Sequence, residues 1–211
     1  MLGLDLGAIR TPRALAALAY NLVPVAGVML WGWDAFALIF LYWLENVAIG
    51  IRTFLSILAN GVSGGVANAG GALFMAAFFA VHYGIFCSVH GMFVLLLFGE
   101  GRGDDLLGVV RAMLGGGDHF TVGIAGILVW QAVELALFMG RGQYKDETVQ
   151  EIMFSPYPRI VVLHVTIIFS GFALLLLGAP QAGVILLAIF KTAADVILAA
   201  RSEQLAQTGR L

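Results

Sequence analysis

Among the ionisable side chains that stand inside otherwise apolar stretches are Glu45, His82, Glu134, His164, Lys191 and Asp195. Placing such a group at the middle of a bilayer costs roughly 2.5 to 3.5 kcal/mol even on the lenient insertion scale, so in a membrane chain they mark ion paths, proton relays or catalytic sites. Glu45 and Glu134 are the candidate proton or cation carriers. His82 and His164 are the candidate relays, because imidazole changes charge near neutral pH. Lys191 and Asp195, spaced i and i+4, make a pair that either neutralises itself or opens during turnover. The same residues allow a second chemistry. His82, His164, Glu45 and Glu134 together form a ligand set for a divalent transition metal such as zinc, iron or manganese, with either glutamate as general base. No H-E-x-x-H motif supports that reading.

The elements that must position these groups follow from composition. Of 211 residues, 61% are hydrophobic and only 11% charged, against about a quarter charged in a soluble domain. Runs long enough to cross the roughly 30 Å hydrocarbon core recur at 14–33, 35–57, 72–98, 120–140, 159–178 and 180–200. The expected fold is therefore all-α: one polytopic transmembrane helical bundle over 1–211, of about six spans. The first run lacks a small-residue cleavage site and is read as a retained helix, kinked at Pro24. With the N-terminus inside, the inner side collects Arg10, Arg13, Arg52, Arg141, Lys145, Arg159, Arg201 and Arg210, while Arg102 and Arg111 lie outside. Both termini are thus expected to be cytoplasmic. A net charge of −2 excludes a nucleic-acid stripe. The single cysteine, Cys87, excludes an intrachain disulfide and reads as a small packing residue.

Periodicity places the polar groups. On a helical wheel His82, Tyr83, Cys87 and His90 share one arc of the third span. Ala72, Ala76, Ala80 and Gly84 make a small-residue seam through which another helix, or a second copy in a homo-oligomer, can approach. Glu45, Tyr42, Asn46, Arg52, Thr53 and Ser56 sort to one face of the second span. Each of the second, fourth and sixth spans carries an acid followed six or seven residues later by arginine: Glu45 and Arg52, Glu134 and Arg141, Asp195 and Arg201. If the helices are neighbours, Glu45, His82, Glu134, His164 and Asp195 converge in the inner half of the membrane, with Lys191 and Gln131 toward the midplane. His90, two turns from His82, reads as a hydrogen-bonded packing histidine. The stretches 60–71 and 142–159 read as a glycine-rich turn and a connection holding a short helix.

"YWLEN" at 42–46, "HYGIFCSVHGMF" at 82–93 and "PYPRIVVLH" at 156–164 together resemble a family of bacterial multi-pass membrane proteins known only as a domain of unknown function. The likeness covers about residues 14–200. Its motif residues are Glu45, Asn46, His82, Tyr83, His90, Tyr157, Arg159 and His164. It implies a membrane fold and brings no activity. There is no nucleophile elbow and no phosphate-cradling glycine loop. Three readings remain open: proton- or ion-coupled translocation of a small solute or ion, an intramembrane metal-dependent enzyme, and an assembly or scaffold protein of the lipid bilayer.

Overall fold

The computed structural model describes residues 31–99, 106–115 and 120–162, with positions 15, 19, 26, 27, 30, 164, 165, 168, 169, 192 and 193. Most of the expected spans at 14–33, 159–178 and 180–200, and the pair Lys191 and Asp195, lie outside the described residues. Among the described residues there are helices and no strand. They are α1 (Ala35–Ser63), α2 (Val66–Phe98), α3 (Leu106–Gly115), α4 (Phe120–Gly140), α5 (Gln143–Asp146) and α6 (Val149–Phe154). A further helical stretch runs over 157–162.

Three of these are long and apolar enough to cross a membrane: Phe36–Ser63, Asn68–Phe98 and Phe120–Gly140. The first is the hub. Its most apolar window is 61% buried inside the protein, against 28% and 22% for the other two. A helix enclosed by protein can carry polar groups that lipid would reject, so the charges of α1 follow from its central position. Its start is fixed by Asp34, whose Oδ1 accepts a hydrogen bond from the Ala37 amide at 2.8 Å. Trp33, Phe40 and Phe120 pack edge and face around that end.

α1 and α2 form an antiparallel hairpin longer than the sequence reading expected. The glycine-rich stretch 60–71 is almost wholly helical. Only Gly64 and Gly65 turn the chain, Gly65 with φ +84°, a conformation that a side chain would strain. At 29 and 33 residues, these helices run about 43 and 50 Å at 1.5 Å per residue, well beyond the roughly 30 Å core. Between helices in lipid, association comes from close packing rather than from water exclusion. The hairpin achieves it with Gly50 against Tyr83, Gly61 against Ala72 and Gly91 against Trp43. The Ala72 and Ala76 part of the small-residue seam is buried within the chain, while Ala80 is exposed. Two side chains lock the register: Trp43 Nε1 donates to the Cys87 carbonyl at 2.8 Å, and the Tyr83 hydroxyl donates to the Asn46 carbonyl at 2.9 Å.

The connection after α4 is not a solvated loop. Ile152 and Met153 of α6 are buried with Ile57, Ala76 and Phe79 against the lower hairpin. Asn60 holds the connection from the α1 side, its Nδ2 donating to the carbonyls of Tyr144 and Glu147 at 2.7 and 2.8 Å. A complete capping box, Thr148 with Glu151, starts α6.

A Cβ added at Gly61 would lie 2.2 Å from the Ala72 Cβ, whereas one at Gly84 meets nothing within 4 Å. Gly61→Ala is therefore expected to destabilise the detergent-solubilised protein by about 1–3 kcal/mol. Gly84→Ala should leave it unchanged or raise its stability by about 0.5–1 kcal/mol. Thermal unfolding of the two variants beside wild type checks the opposite signs.

Candidate functional site

The site grows from the seam between α1 and α4. Gly123 lies against Leu41, and Arg52 Nη1 stands 3.4 Å from Glu134 Oε2. Both pairs are 82 residues apart, so the two helices run parallel in constant register. That register ranks the buried polar groups by height. Glu45 stands level with Ile127. Gln131 stands level with Ile49, about 6 Å nearer the Ser63 end, and Glu134 with Arg52 about 4.5 Å further.

Glu45, Asn46, Gln131 and Glu134 are each at least 94% buried. At 3.4 Å, the Arg52–Glu134 contact is longer than the 2.7–2.9 Å usual for a charge-assisted bond. Below it, Glu147 of the α5–α6 connection also feels the Arg52 charge. Arg52 thus stands between a carboxylate on α4 and another on the connection that Asn60 clamps. Gln131 Oε1 and Nε2, and Asn46 Oδ1, are buried without a hydrogen-bond partner among the described residues. An unsatisfied buried amide costs about 1–3 kcal/mol, so Gln131 carries unspent bonding capacity between two acids.

The histidines are arranged differently from the sequence expectation. Tyr157 stacks near His82, and His90 Nε2 lies 2.5 Å from His164 Nδ1. Seventy-five and 74 residues separate the two pairs, so the 157–164 segment runs parallel to α2. His164 consequently meets His90, not His82. The reason is the packed connection: with Ile152 and Met153 buried on the hairpin, the next helix starts level with His82 instead of at the foot of α2. His82 itself is exposed, stacked on Phe78 with ring centroids 5.6 Å apart. His90, read as a packing residue, is buried and does bond the Phe86 carbonyl through Nδ1 at 2.8 Å. Cys87 is buried and free. Among the described residues, no three His, Cys, Asp or Glu side chains are grouped to hold a metal. The metal set His82, His164, Glu45 and Glu134 does not assemble.

Sequence reasoning passed over Asn60, Trp43 and the Glu147–Arg52 approach. The first sat in a stretch assigned to a turn, and the others required the helix register.

An all-α chain with three helices built to span a bilayer, with buried acids and a half-buried arginine between them, is an integral membrane protein. It belongs to the family of unknown function DUF6498, which it matches over residues 4–210. No curated protein and no solved structure matches the chain.

The connection titrates at the edge of this site. Burial, then the neighbouring Glu151 and Asp146 charges, hold the Glu147 carboxyl above the usual carboxylate range against the pull of Arg52. A carboxyl raised on folding favours the docked state while protonated, and that contribution is lost as pH rises through its folded value. Glu151 behaves oppositely: Thr148 donors hold it below the usual range, so its contribution is present at neutral pH and lost on acidification. Amide-exchange protection over 149–154 in wild type is expected to weaken as pH rises above about 4.3. Glu147→Gln should remove that loss, and Glu151→Gln should remove the weakening at the acid end.

Proposed function

We propose that this protein is a multi-pass protein of the bacterial cytoplasmic membrane, a single helical bundle with both termini cytoplasmic, that moves a proton or small cation along the α1–α4 seam. The observation that carries the proposal is the line of buried groups on that seam: Glu45, then the unpartnered Gln131 amide, then Glu134 paired with Arg52. Steps of about 4.5 to 6 Å separate them in height, short enough for one intervening polar group to bridge. Arg52 supplies the countercharge for the Glu134 carboxylate. Protonation of Glu134 would release Arg52 toward Glu147 at the cytoplasmic end, and its return would expel the proton there.

The lysine and arginine distribution supports the orientation, since it sets the α1–α2 turn and the 142–158 connection on the inner side. The metal-dependent enzyme is less well served, because its four ligands lie on four different helical segments and no three such side chains are grouped among the described residues.

Purified protein in liposomes, adsorbed on a solid-supported membrane and given a pH jump, reports proton entry as a transient current without a known solute. Glu45→Gln and Glu134→Gln are each expected to reduce the transient about tenfold or more, as loss of a proton-transferring group does. Full transients in both variants would contradict the proposal.

A further inference from the structure

Among the described residues the His90–His164 pair is a short polar contact that the seam does not use, and its hydrogen bonds fix its proton content. His90 Nδ1 lies 2.8 Å from the Phe86 carbonyl, which only accepts, so Nδ1 carries a proton. In the neutral ring, Nε2 is then a lone pair, and it faces His164 Nδ1 at 2.5 Å. Two lone pairs repel, so His164 Nδ1 supplies the bridging proton and His164 Nε2 is left as the open acceptor. His90 is buried and His164 exposed. The acceptor therefore sits on the ring at the protein surface.

We propose that His90 and His164 form a binding site for one additional proton, loaded at His164 Nε2 and shared across the bridge, which serves as the outer loading station for Glu45. The proton arriving at Nε2 makes His164 an imidazolium, and the bridging proton moves toward His90 Nε2, so that a single positive charge is spread over both rings. A second proton would require both bridging nitrogens to hold hydrogen at once, which breaks the contact. Two imidazolium charges with ring centroids 4.8 Å apart also repel strongly in a medium of low dielectric. The capacity of the site is one.

Its height suits the role. Trp43 packs on Gly91 and donates to the Cys87 carbonyl, so His90 stands level with Trp43 and within one helical turn of Glu45. Glu45 on α1 is the nearest carboxylate in height among the described residues. The other titratable groups that the packed elements offer are Tyr42 on α1, His82, Tyr83 and Cys87 on α2, and Tyr157 and Arg159 below His164; Arg52 and Glu134 lie two turns lower than Glu45. A metal is not the occupant that this geometry favours, because two imidazoles are short of the four ligands that the common borderline ions take.

The place of the pair in the pathway rests on the translocation reading; the shared proton does not. The test uses the full chain in lipid nanodiscs with 15N-labelled histidine. Nitrogen spectra recorded from about pH 8 to about pH 5, around the ordinary histidine range, should show uptake of one proton by the pair, with His90 Nε2 to His164 Nδ1 coupling retained throughout. In His90→Gln that coupling and the shared proton should vanish, while His82→Gln leaves the pair unchanged. Independent titration of the two rings in wild type, absence of the coupling, or a stoichiometric metal lost from both His90→Gln and His164→Gln would overturn the shared-proton site. The coupling present in wild type, together with undiminished pH-jump currents in His90→Gln under conditions where Glu45→Gln abolishes them, would overturn its role as the loading station.

Discussion

A carboxylate inside an apolar helix needs a countercharge, a proton or a polar partner, and Glu134 obtains its countercharge from a different helix. Breaking a fully buried ion pair by removing one member costs about 3–5 kcal/mol, whereas an exposed pair contributes about 0–1. Arg52 keeps 19% exposure against 6% for Glu134, so solvent screens this pair in part and its weight falls between those limits. Its main consequence is geometric. One contact between Arg52 and Glu134, with Leu41 on Gly123 a few turns away, sets α4 parallel to α1 at a single register.

Everything polar in the interior depends on that register. It places Gln131 between the heights of Glu45 and Glu134, and brings the end of α4 down to where Asn60 can hold the Tyr144 and Glu147 carbonyls. The hairpin supplies the complementary constraint. Glycines opposite Tyr83, Ala72 and Trp43 let α2 approach α1 closely enough for the Tyr83 and Trp43 bonds to form. α1 is thereby enclosed on both sides. The hub can be polar because lipid meets α2 and α4 instead, whose exposed faces carry residues such as Phe74, Val81, Ile85, Leu128 and Val129.

Much of this was legible in the sequence. Apolar run lengths located the three long helices, and the polar arc of 42–56 identified the face of α1 that is now seen buried at Glu45, Asn46, Thr53 and Ser56. The sequence points to His82 as the neighbour of His164, whereas His164 meets His90, and the reason is physical. Depth counted from the ends of the apolar runs places the 142–159 connection and its short helix outside the bundle. Ile152 and Met153 anchor that connection on the hairpin, and the following helix begins at the level of His82. The same anchoring carries His164 to His90. Helix ends were similarly misplaced at 60–71, because glycine lowers helix propensity by only about 1 kcal/mol per residue and packing overrides it. There, Gly61 is used for its lack of a side chain and not for flexibility.

The central claim is the parallel register of α1 and α4, and paired cysteines test it most directly. In a Cys87→Ser background, Leu41→Cys with Gly123→Cys and Arg52→Cys with Glu134→Cys should each be joined by a short bifunctional thiol reagent in native membranes. Leu41→Cys with Glu134→Cys, 11 residues out of register and about 16 Å apart along the axis, should not be joined. Linkage of that third pair, or failure of the first two in protein that is folded and labelled at both thiols, would contradict the register and the line of buried acids built on it.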